Sequence, residues 1–317
     1  MNEFALIDTF FKSFTHDRDD VVFGIGDDAA CLQIATGKQL LVSCDTLVAG
    51  VHFLDDWDAY DIACKAVAVN VSDMAAMGAS PCWLTLALTL PDCNPPWLKR
   101  FSQGLADSLN HFNIALVGGD TTRGPLSITL TIHGQVPSNK AVRRSGANAG
   151  DKIYVSGELG AAAQAVAFLA RIDLDHADKA ILMAKLLHPT PRIDLNHCLQ
   201  TFASAAIDIS DGLSADLSHI CAASNVGACL MLAGIPVHPL VKKYQGVNAI
   251  DFALSGGDDY ELCFTVPPAQ EEGFKAALAQ ARLTCYPIGI IESQPGLRVQ
   301  EISGTVVSLN VRGYSHF

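Results

Sequence analysis

Residues 23–30, with the sequence FGIGDDAA, raise the first question about this chain. Two closely spaced glycines let a backbone turn tightly and direct its N–H groups towards an anion. The next two residues, Asp27 and Asp28, are carboxylates that would repel an anion, and no lysine follows as it would in a P-loop. The pattern therefore indicates a turn that presents negative charge, which suits a metal ion better than a bare phosphate.

The composition is that of a globular protein. The chain has 317 residues, of which 50% are hydrophobic and 17% are charged, so it is long enough for two domains of ordinary size. No apolar run reaches the length of a membrane span, and the N-terminal residues lack the basic start and small-residue cleavage site of a signal peptide. We therefore expect no membrane association.

The net charge and the cysteines indicate which binding partners and which compartment to expect. The net charge of −12 argues against a partner that is nucleic acid or anionic membrane, although phosphates can still bind through metal ions. Ten cysteines are scattered without any C-x-x-C pair, which favours reduced thiols and a cytoplasmic location.

Hydrophobic periodicity predicts strands and helices in both halves of the chain. Strands are predicted at 39–44, 83–90, 114–117, 126–136, 152–156, 205–209, 252–255, 261–266, 286–291 and 306–311. Helices are predicted at 4–14, 60–77, 97–112, 157–170 and 213–224. The polar, glycine-bearing segment 137–151 predicts a boundary between domains spanning 1–140 and 141–317.

Aspartates recur at glycine turns and strand ends, where side chains project into ligand-binding crevices. They are Asp28, Asp45, Asp120, Asp208, Asp211 and Asp258, and Asp73 joins them from the predicted helix 60–77. Converging carboxylates repel one another unless cations bridge them, and oxygen ligands of this kind suit Mg²⁺. Each residue has a simpler explanation by itself, such as a turn or, for Asp211, the N-cap of the helix at 213–224. Together they favour a metal–phosphate site, but they do not name the reaction.

Seven motifs in a fixed order make the chain resemble the thiamine-monophosphate kinases, within the wider aminoimidazole-ribonucleotide synthetase-like group. They are GIGDDAA at 24–30, SCDTLVAGVHF at 43–53, KAVAVNVSDMAAMGA at 65–79, VGGDTTRG at 117–124, RSGANAGD at 144–151, AIDISDGL at 206–213 and SGGDDYELCF at 255–264. The resemblance extends to RGYSHF at 312–317.

The resemblance implies an α/β fold of the α+β type with two domains. The N-terminal α/β domain, 1–140, would bind ATP and metal and form a β-barrel with its twin across a homodimer. The C-terminal α/β domain, 141–317, would complete the substrate cleft.

The implied reaction converts ATP and thiamine monophosphate into ADP and thiamine diphosphate. A phosphate monoester has a second pKa of about 6, so the acceptor oxygen is already anionic at neutral pH and needs no general base. Catalysis would then rest on positioning and on several Mg²⁺ ions that neutralise the phosphates.

The resemblance also implies roles for individual residues. Metal ligands would be Asp28, Ser43, Cys44, Asp45, Asp73, Asp120, Asp208 and Asp211; ATP contacts would be Gly119, Asp120, Arg144 and Ser210; substrate contacts would be His52, Asp258 and Tyr314. Asp120, Asp208 and Arg144 would be the main catalytic residues. Two positions depart from the family pattern, because Cys44 stands where threonine is common and Asp258 where glutamate is common.

Two alternatives remain open from the sequence. One is a sibling ATP-dependent synthetase that closes a ribonucleotide ring or makes selenophosphate, although no cysteine precedes Cys31 to serve as the reactive residue of the latter. The other is a non-catalytic protein that binds a nucleotide or a divalent metal.

Overall fold

A computed structural model describes residues 3–14, 18–169 and 175–316. The chain divides into two compact units. Unit 1 comprises Met1–Met74 and Ala79–Lys140, and unit 2 comprises Ala75–Gly78 and Ala141–Phe317. Among the described residues, none of the helices combines the length and the apolar character that crossing a membrane requires. Residue 170 of the predicted helix 157–170 and residue 317 of the last motif lie outside the described residues.

Unit 1 is built around a mixed sheet. Its elements are α1 (Glu3–Phe10), β1 (Val21–Phe23), β2 (Cys31–Leu32), β3 (Lys38–Val48), α2 (Ala59–Ala76), β4 (Ser80–Leu90), α3 (Pro95–Phe112), β5 (Ala115–Arg123) and β6 (Ser127–Pro137). Within the described residues of the unit, four strands form the sheet in the order β3-β6-β4-β5. The β4–β5 pair is parallel, and the other pairs are antiparallel.

The alternation along β6 gives this sheet two different faces. Ile128, Leu130 and Ile132 are fully buried, whereas Thr129 and Thr131 between them are partly exposed. Successive side chains of a strand point to opposite faces, so the apolar set forms the core of the unit.

Unit 2 is a second α/β unit. Its elements are β7 (Lys152–Val155), α4 (Ala161–Phe168), α5 (His176–Leu187), α6 (Asn196–Phe202), β8 (Ala205–Asp208), α7 (Leu213–Ser224), β9 (Gly227–Met231), α8 (Pro239–Gln245), α9 (Ala249–Ser255), β10 (Leu262–Val266), α10 (Glu271–Ala281), β11 (Tyr286–Glu292), β12 (Gly296–Gln300) and β13 (Val306–Ser308). In the part of the unit that is described, seven strands form a sheet in the order β13-β12-β9-β11-β7-β10-β8.

One predicted strand is wrong, since residues 252–255 end helix α9. The apolar run 252–255 is too short to distinguish the 3.6-residue period of a helix from the two-residue period of a strand. In the helix, Ala249, Ala253 and Leu254 fall on one buried face, which is the spacing of a helix.

Two predicted strands are longer in the structure, and this changes where two aspartates lie. Asp45 lies inside β3, opposite Leu130, and not at a strand end. Asp120 lies inside β5, opposite Ala87. In both strands the pairing continues through the residues before and after the aspartate, which holds the backbone there more rigidly than a loop would.

Candidate active site

The 24–30 loop of unit 1 is anchored at both ends. It joins β1 to β2, and Val21 and Leu32 beside it pack against the cluster that contains the buried Trp83. The Trp83 indole N–H donates to the Asp20 carboxylate at 3.1 Å. The loop thus projects from a fixed base.

Residues 25–30 of the loop and the middle of β5 line one cleft of about 740 Å³. Asp28, Gly119 and Asp120 all contribute to its wall, and the side chains of both aspartates are exposed. The register between β4 and β5 shifts just before Gly118, which is a β-bulge of the kind that re-aims side chains next to binding sites. Three predicted site residues are therefore brought together in unit 1.

Asp27 shapes the turn that carries Asp28. Its carboxylate accepts the Asp28 backbone N–H at 2.9 Å, and Gly26 before it has a φ of +128° that favours glycine. The two carboxylates consequently have different surroundings, although they are neighbours in the chain.

A second group of predicted ligands lies on β3 and α2. The Ser43 hydroxyl donates to the Asp73 carboxylate at 2.5 Å. Burial, and next the negative charge of Asp73, raise the pKa of Asp45 to about 6. The Cys44 side chain points to the opposite face of the strand, where its sulfur accepts from Thr131 at 3.4 Å. Ser43, Asp45 and Asp73 are therefore together, and the Cys44 thiol is apart from them.

His52 lies in the turn after β3. Its ring Nδ1 accepts the Val48 backbone N–H at 3.0 Å, and the His52 backbone N–H donates to the Val48 carbonyl at the same distance. An accepting Nδ1 places the proton of the neutral ring on Nε2. The ring thus helps to hold the turn.

In unit 2, backbone hydrogen bonds join the segments that carry the motifs AIDISDGL and SGGDDYELCF. Ile209 N–H donates to Glu261 O at 2.7 Å, Tyr260 N–H to Ile209 O at 2.9 Å, and Asp258 N–H to Ser210 O at 2.8 Å. These bonds continue the antiparallel pairing of β8 with β10. Asp208, Ser210, Asp211 and Asp258 are thereby brought to one end of the sheet.

Asp258 and Tyr260 both have left-handed backbone conformations, with φ of 67° and 49°. Non-glycine residues in this region carry strain of about 1–3 kcal/mol and occur frequently at ligand sites. The geometry places Asp258 beside Ser210, so the two predicted ligand contacts of this segment lie together.

The predicted N-cap role of Asp211 is wrong. Gly212 is the N-cap of α7 and offers no side-chain cap; instead the Asp216 carboxylate accepts the N–H groups of Asp211 and Gly212 at 3.1 and 3.0 Å. Burial raises the pKa of Asp216 to about 7 despite these bonds. The Asp211 side chain is therefore not used by the helix.

Sequence reasoning missed Asp216, although a signal exists. Asp216 falls on the same helical face as Leu213, Leu217 and Ile220, all of which are buried. A carboxylate among core positions of a helix indicates a buried hydrogen-bonding task. Here that task is to fix the loop that carries Asp211.

Two other acidic residues of the second motif have structural contacts. Asp259 accepts the N–H of Gly160, the N-cap residue of α4, at 2.7 Å. Glu261 is buried, accepts the Ser156 hydroxyl, and lies 3.3 Å from Arg192 Nη1. Both residues therefore anchor the segment 255–264 to other parts of unit 2.

We expect Asp259 to make stability depend on pH. Burial raises its pKa from 3.8 to about 7, so between these values the folded chain keeps a proton that the unfolded chain has lost. The free energy of unfolding should therefore fall as the pH rises through this window. Urea unfolding of Asp259→Asn and of the unmodified protein at about pH 5 and about pH 8 checks this, because the stability of the variant relative to the unmodified protein should increase with pH. An unchanged difference would contradict it.

Arg144 is not brought to the aspartates of unit 2. Its carbonyl accepts from Ser224, the last residue of α7, whereas Asp211 precedes the first residue of that helix. A helix of 12 residues is roughly 18 Å long. Arg144 is exposed, so its guanidinium is available to a ligand away from Asp208 and Asp211.

Tyr314 lies next to Asp211. Its N–H donates to the Asp211 carbonyl at 3.1 Å, and its ring packs edge-on against His316 with centroids 4.8 Å apart. The Tyr314 side chain is 51% exposed, which leaves its ring face open to a ligand.

No group of three or more His, Cys, Asp or Glu side chains suited to hold a metal ion is found in residues 3–14, 18–169 and 175–316. Mg²⁺ does not require such a cage, because it keeps several waters and takes one or two carboxylates together with substrate phosphates. The oxygen-only set of Ser43, Asp45 and Asp73, in which one carboxylate raises the pKa of another, fits such a cation.

Comparison with family models gives matches along most of the chain. Residues 26–136 match the N-terminal domain of AIR synthase related proteins, and residues 148–302 match the C-terminal domain of the same family.

Relatives and solved structures match over nearly the whole length. The thiamine-monophosphate kinase of Escherichia coli (strain K12) is 47% identical and covers 99% of this chain and 98% of its own. That of Bacillus subtilis (strain 168) is 32% identical over all of both chains. The crystal structure of thiamine-monophosphate kinase from Stenotrophomonas maltophilia K279a has 45% identity and a TM-score of 0.86, covering 94% of this chain and 96% of that one. AaThiL complexed with AMPPCP and TMP has 33% identity and a TM-score of 0.80, covering 99% and 97%.

Proposed function

The chain belongs to the thiamine-monophosphate kinase family, and we infer that it transfers the γ-phosphoryl group of ATP to thiamine monophosphate, giving ADP and thiamine diphosphate. The observation that carries this inference is the 47% identity to the Escherichia coli kinase over 99% of the chain. A solved structure of a relative at 33% identity is a complex with AMPPCP and TMP, which matches a nucleotide donor and a monophosphate acceptor. The predicted family and activity are confirmed.

The alternatives from the sequence are not favoured. The hydrogenase maturation protein HypE of Escherichia coli has a TM-score of 0.77 but only 22% identity, so it shares the fold alone. By contrast, the kinases match at 32–47% identity over nearly the whole chain.

The site chemistry suits a phosphate acceptor. The unit 1 cleft offers Asp28, Asp120 and the backbone around Gly119. The predicted substrate contact His52 uses Nδ1 to hold a turn. Because the acceptor oxygen of thiamine monophosphate is already anionic, in-line attack needs alignment and charge neutralisation and not proton removal.

Mg²⁺ would supply that neutralisation. We propose that several Mg²⁺ ions are bound, with Asp28, Asp120 and the Ser43–Asp45–Asp73 group of unit 1 and Asp208 and Asp211 of unit 2 among their ligands. Cys44 would contribute only through its backbone, since its thiol is on the other face of β3. Bound Mg²⁺ would offset the negative charge of the phosphates and orient their oxygens.

The remaining predicted site residues would contact the two substrates. We propose that Gly119, Asp120, Ser210 and Arg144 contact ATP, with Arg144 as a cationic clamp on a phosphate. We propose that His52, Asp258 and Tyr314 contact thiamine monophosphate, and that the half-exposed Tyr314 ring packs on an aromatic ring of the substrate.

Unphosphorylated thiamine should be a poor acceptor. Its hydroxyl must lose a proton during attack, and a general base typically contributes about 10²–10⁴-fold to such a step. We expect kcat/KM for thiamine to be at least about 10²-fold below that for thiamine monophosphate. Initial rates with each acceptor at saturating ATP and Mg²⁺ measure the ratio; equal values would mean that a base is present.

A homodimer is proposed for unit 1. β3 is one of the two edge strands of the sheet in the described part of unit 1, and Leu40 and Val42 on it are 39% and 55% exposed. An exposed apolar edge strand is a surface that proteins normally cover. A second copy would cover it and close the two sheets into a barrel. Sedimentation equilibrium at micromolar concentration should give twice the mass of 33.6 kDa, whereas a monomer would contradict the proposal.

We propose that residues 1–140 bind metal and ATP and dimerise, and that residues 141–317 complete the substrate cleft. The ten cysteines, all within the described residues, are free, which suits the reducing cytoplasm.

A further inference from the structure

The segment 309–316 is attached to unit 2 beside the candidate ligands. At its start, Leu309 packs against the hydrophobic core of the unit, and its N–H donates to the Leu297 carbonyl at 2.9 Å. At its far end, Tyr314 N–H donates to the carbonyl of Asp211. Between these points the segment forms none of the helices or strands found in the described residues, so its position depends on individual contacts.

Ser214, in the first turn of α7, makes the central contact. Its hydroxyl donates to the Arg312 carbonyl at 2.6 Å and accepts the Arg312 N–H at 3.2 Å. One side chain thus satisfies both backbone groups of a single residue. Ser214 is 1% exposed, so water does not compete freely for the hydroxyl.

The next residue fits closely against the same turn. A Cβ on Gly313 would lie 2.6 Å from the Ala215 Cβ and 2.8 Å from the Asp211 carbonyl oxygen. A larger residue at 313 would therefore push the segment away from α7. Asp211 is held on both sides, since its N–H binds Asp216 and its carbonyl binds Tyr314.

We propose that Ser214 is a positioning residue that fastens the segment 309–316 to α7 and so places Tyr314 for substrate binding. The proposal rests on the function inferred above. Ser214 itself touches no substrate; it acts through the two bonds to Arg312, two residues before the aromatic ring. Loss of the hydroxyl should free the segment, weaken thiamine monophosphate binding, and leave the chemical step and ATP binding nearly unchanged.

Ser214→Ala is the first test variant, and Ser218→Ala is its matched control. Ser218 lies on the same helix, and its hydroxyl donates within the helix, to Ala215 O at 2.6 Å. Gly313→Ala is the second test variant, because it displaces the segment without altering the buried core. In both test variants we expect the KM for thiamine monophosphate to rise about five-fold, with kcat and the KM for ATP within about two-fold of the unmodified enzyme.

Limited trypsin digestion gives a readout that does not depend on activity. The exposed Arg312 is a trypsin site, but its N–H and carbonyl are held by Ser214. Cleavage after Arg312, followed by mass spectrometry, should be about ten-fold faster in Ser214→Ala and unchanged in Ser218→Ala. Equal cleavage in both variants would overturn the fastening. Faster cleavage with an unchanged KM would overturn the role in substrate binding, whereas absence of thiamine diphosphate from the unmodified enzyme would overturn the proposed function only.

Discussion

Asp120→Asn is expected to lower kcat/KM for thiamine monophosphate by about 10³-fold, because loss of a charged group that stabilises transferring phosphates costs this much. The substitution keeps the shape of the side chain and removes only its charge. Asp120 is exposed inside β5, so the free energy of unfolding should change by less than about 0.5 kcal/mol. Steady-state kinetics and urea unfolding measure the two effects separately.

Asp92→Asn is the control for this variant. Asp92 is an exposed carboxylate of unit 1 just after β4 and outside the proposed ligand set, so its activity should stay within about two-fold of the unmodified enzyme. Asp208→Asn should lose activity like Asp120→Asn. Unmodified rates in both Asp120→Asn and Asp208→Asn would mean that the carboxylates serve only the fold.

Gly119→Ala is expected to destabilise the protein by at least about 3 kcal/mol, since it adds backbone strain to a steric clash. Gly119 has a φ of +154°, and a Cβ there would lie 1.9 Å from the Leu86 carbonyl oxygen on the paired strand β4. The strands would have to separate where β5 carries Asp120. Chemical unfolding should show the loss, and phosphoryl transfer should fall with it.

Gly118→Ala is the matched control, one residue away in the same strand. A Cβ on Gly118 would meet only the Thr85 Cγ2 at 3.8 Å, which is an ordinary contact. We expect its unfolding free energy to stay within about 1 kcal/mol of the unmodified protein. Equal losses in the two variants would show that the sheet tolerates no side chain here, and that the φ and the clash of Gly119 are not the cause.

Much of the fold could be predicted from periodicity. Helix α7 is found at Leu213–Ser224 as expected, and the alternation of β6 correctly separates Ile128, Leu130 and Ile132 from the threonines. The predicted two-domain α/β fold of the family is confirmed by the domain matches, while the barrel across a homodimer stays a prediction. The missed strands β9 and β12 have five residues each, so tertiary pairing and not local sequence defines them. The missed helix α5 does carry a local signal, since the Asp175 side chain caps its N-terminus.

The candidate site was likewise predicted only where local sequence determines it. Glycine–aspartate motifs predicted Asp28 and Asp120, and the structure places both at one cleft. Sequence could not show that Asp45 lies inside a strand, because strand ends depend on the partner β6. Nor could it show that Asp216 and Tyr314 hold Asp211 from two sides, since these contacts join residues far apart in the chain or buried in a helix.

The 24–30 loop illustrates what the structure adds. Its glycines make the turn, Asp27 binds the Asp28 N–H, and Asp28 faces the cleft that also contains Asp120. In the proposed mechanism a cation at these carboxylates takes the part that a lysine plays in a P-loop. Asp27 then shapes the turn and leaves Asp28 as the ligand.

Product identification tests the central claim most directly. The purified protein is incubated with ATP, thiamine monophosphate and Mg²⁺, and the nucleotides and thiamine phosphates are quantified by chromatography. We predict thiamine diphosphate and ADP in equal amounts, and no turnover when the metal is chelated. If ADP and free phosphate accumulate while thiamine monophosphate stays intact, that result would contradict the assignment of this protein as a thiamine-monophosphate kinase.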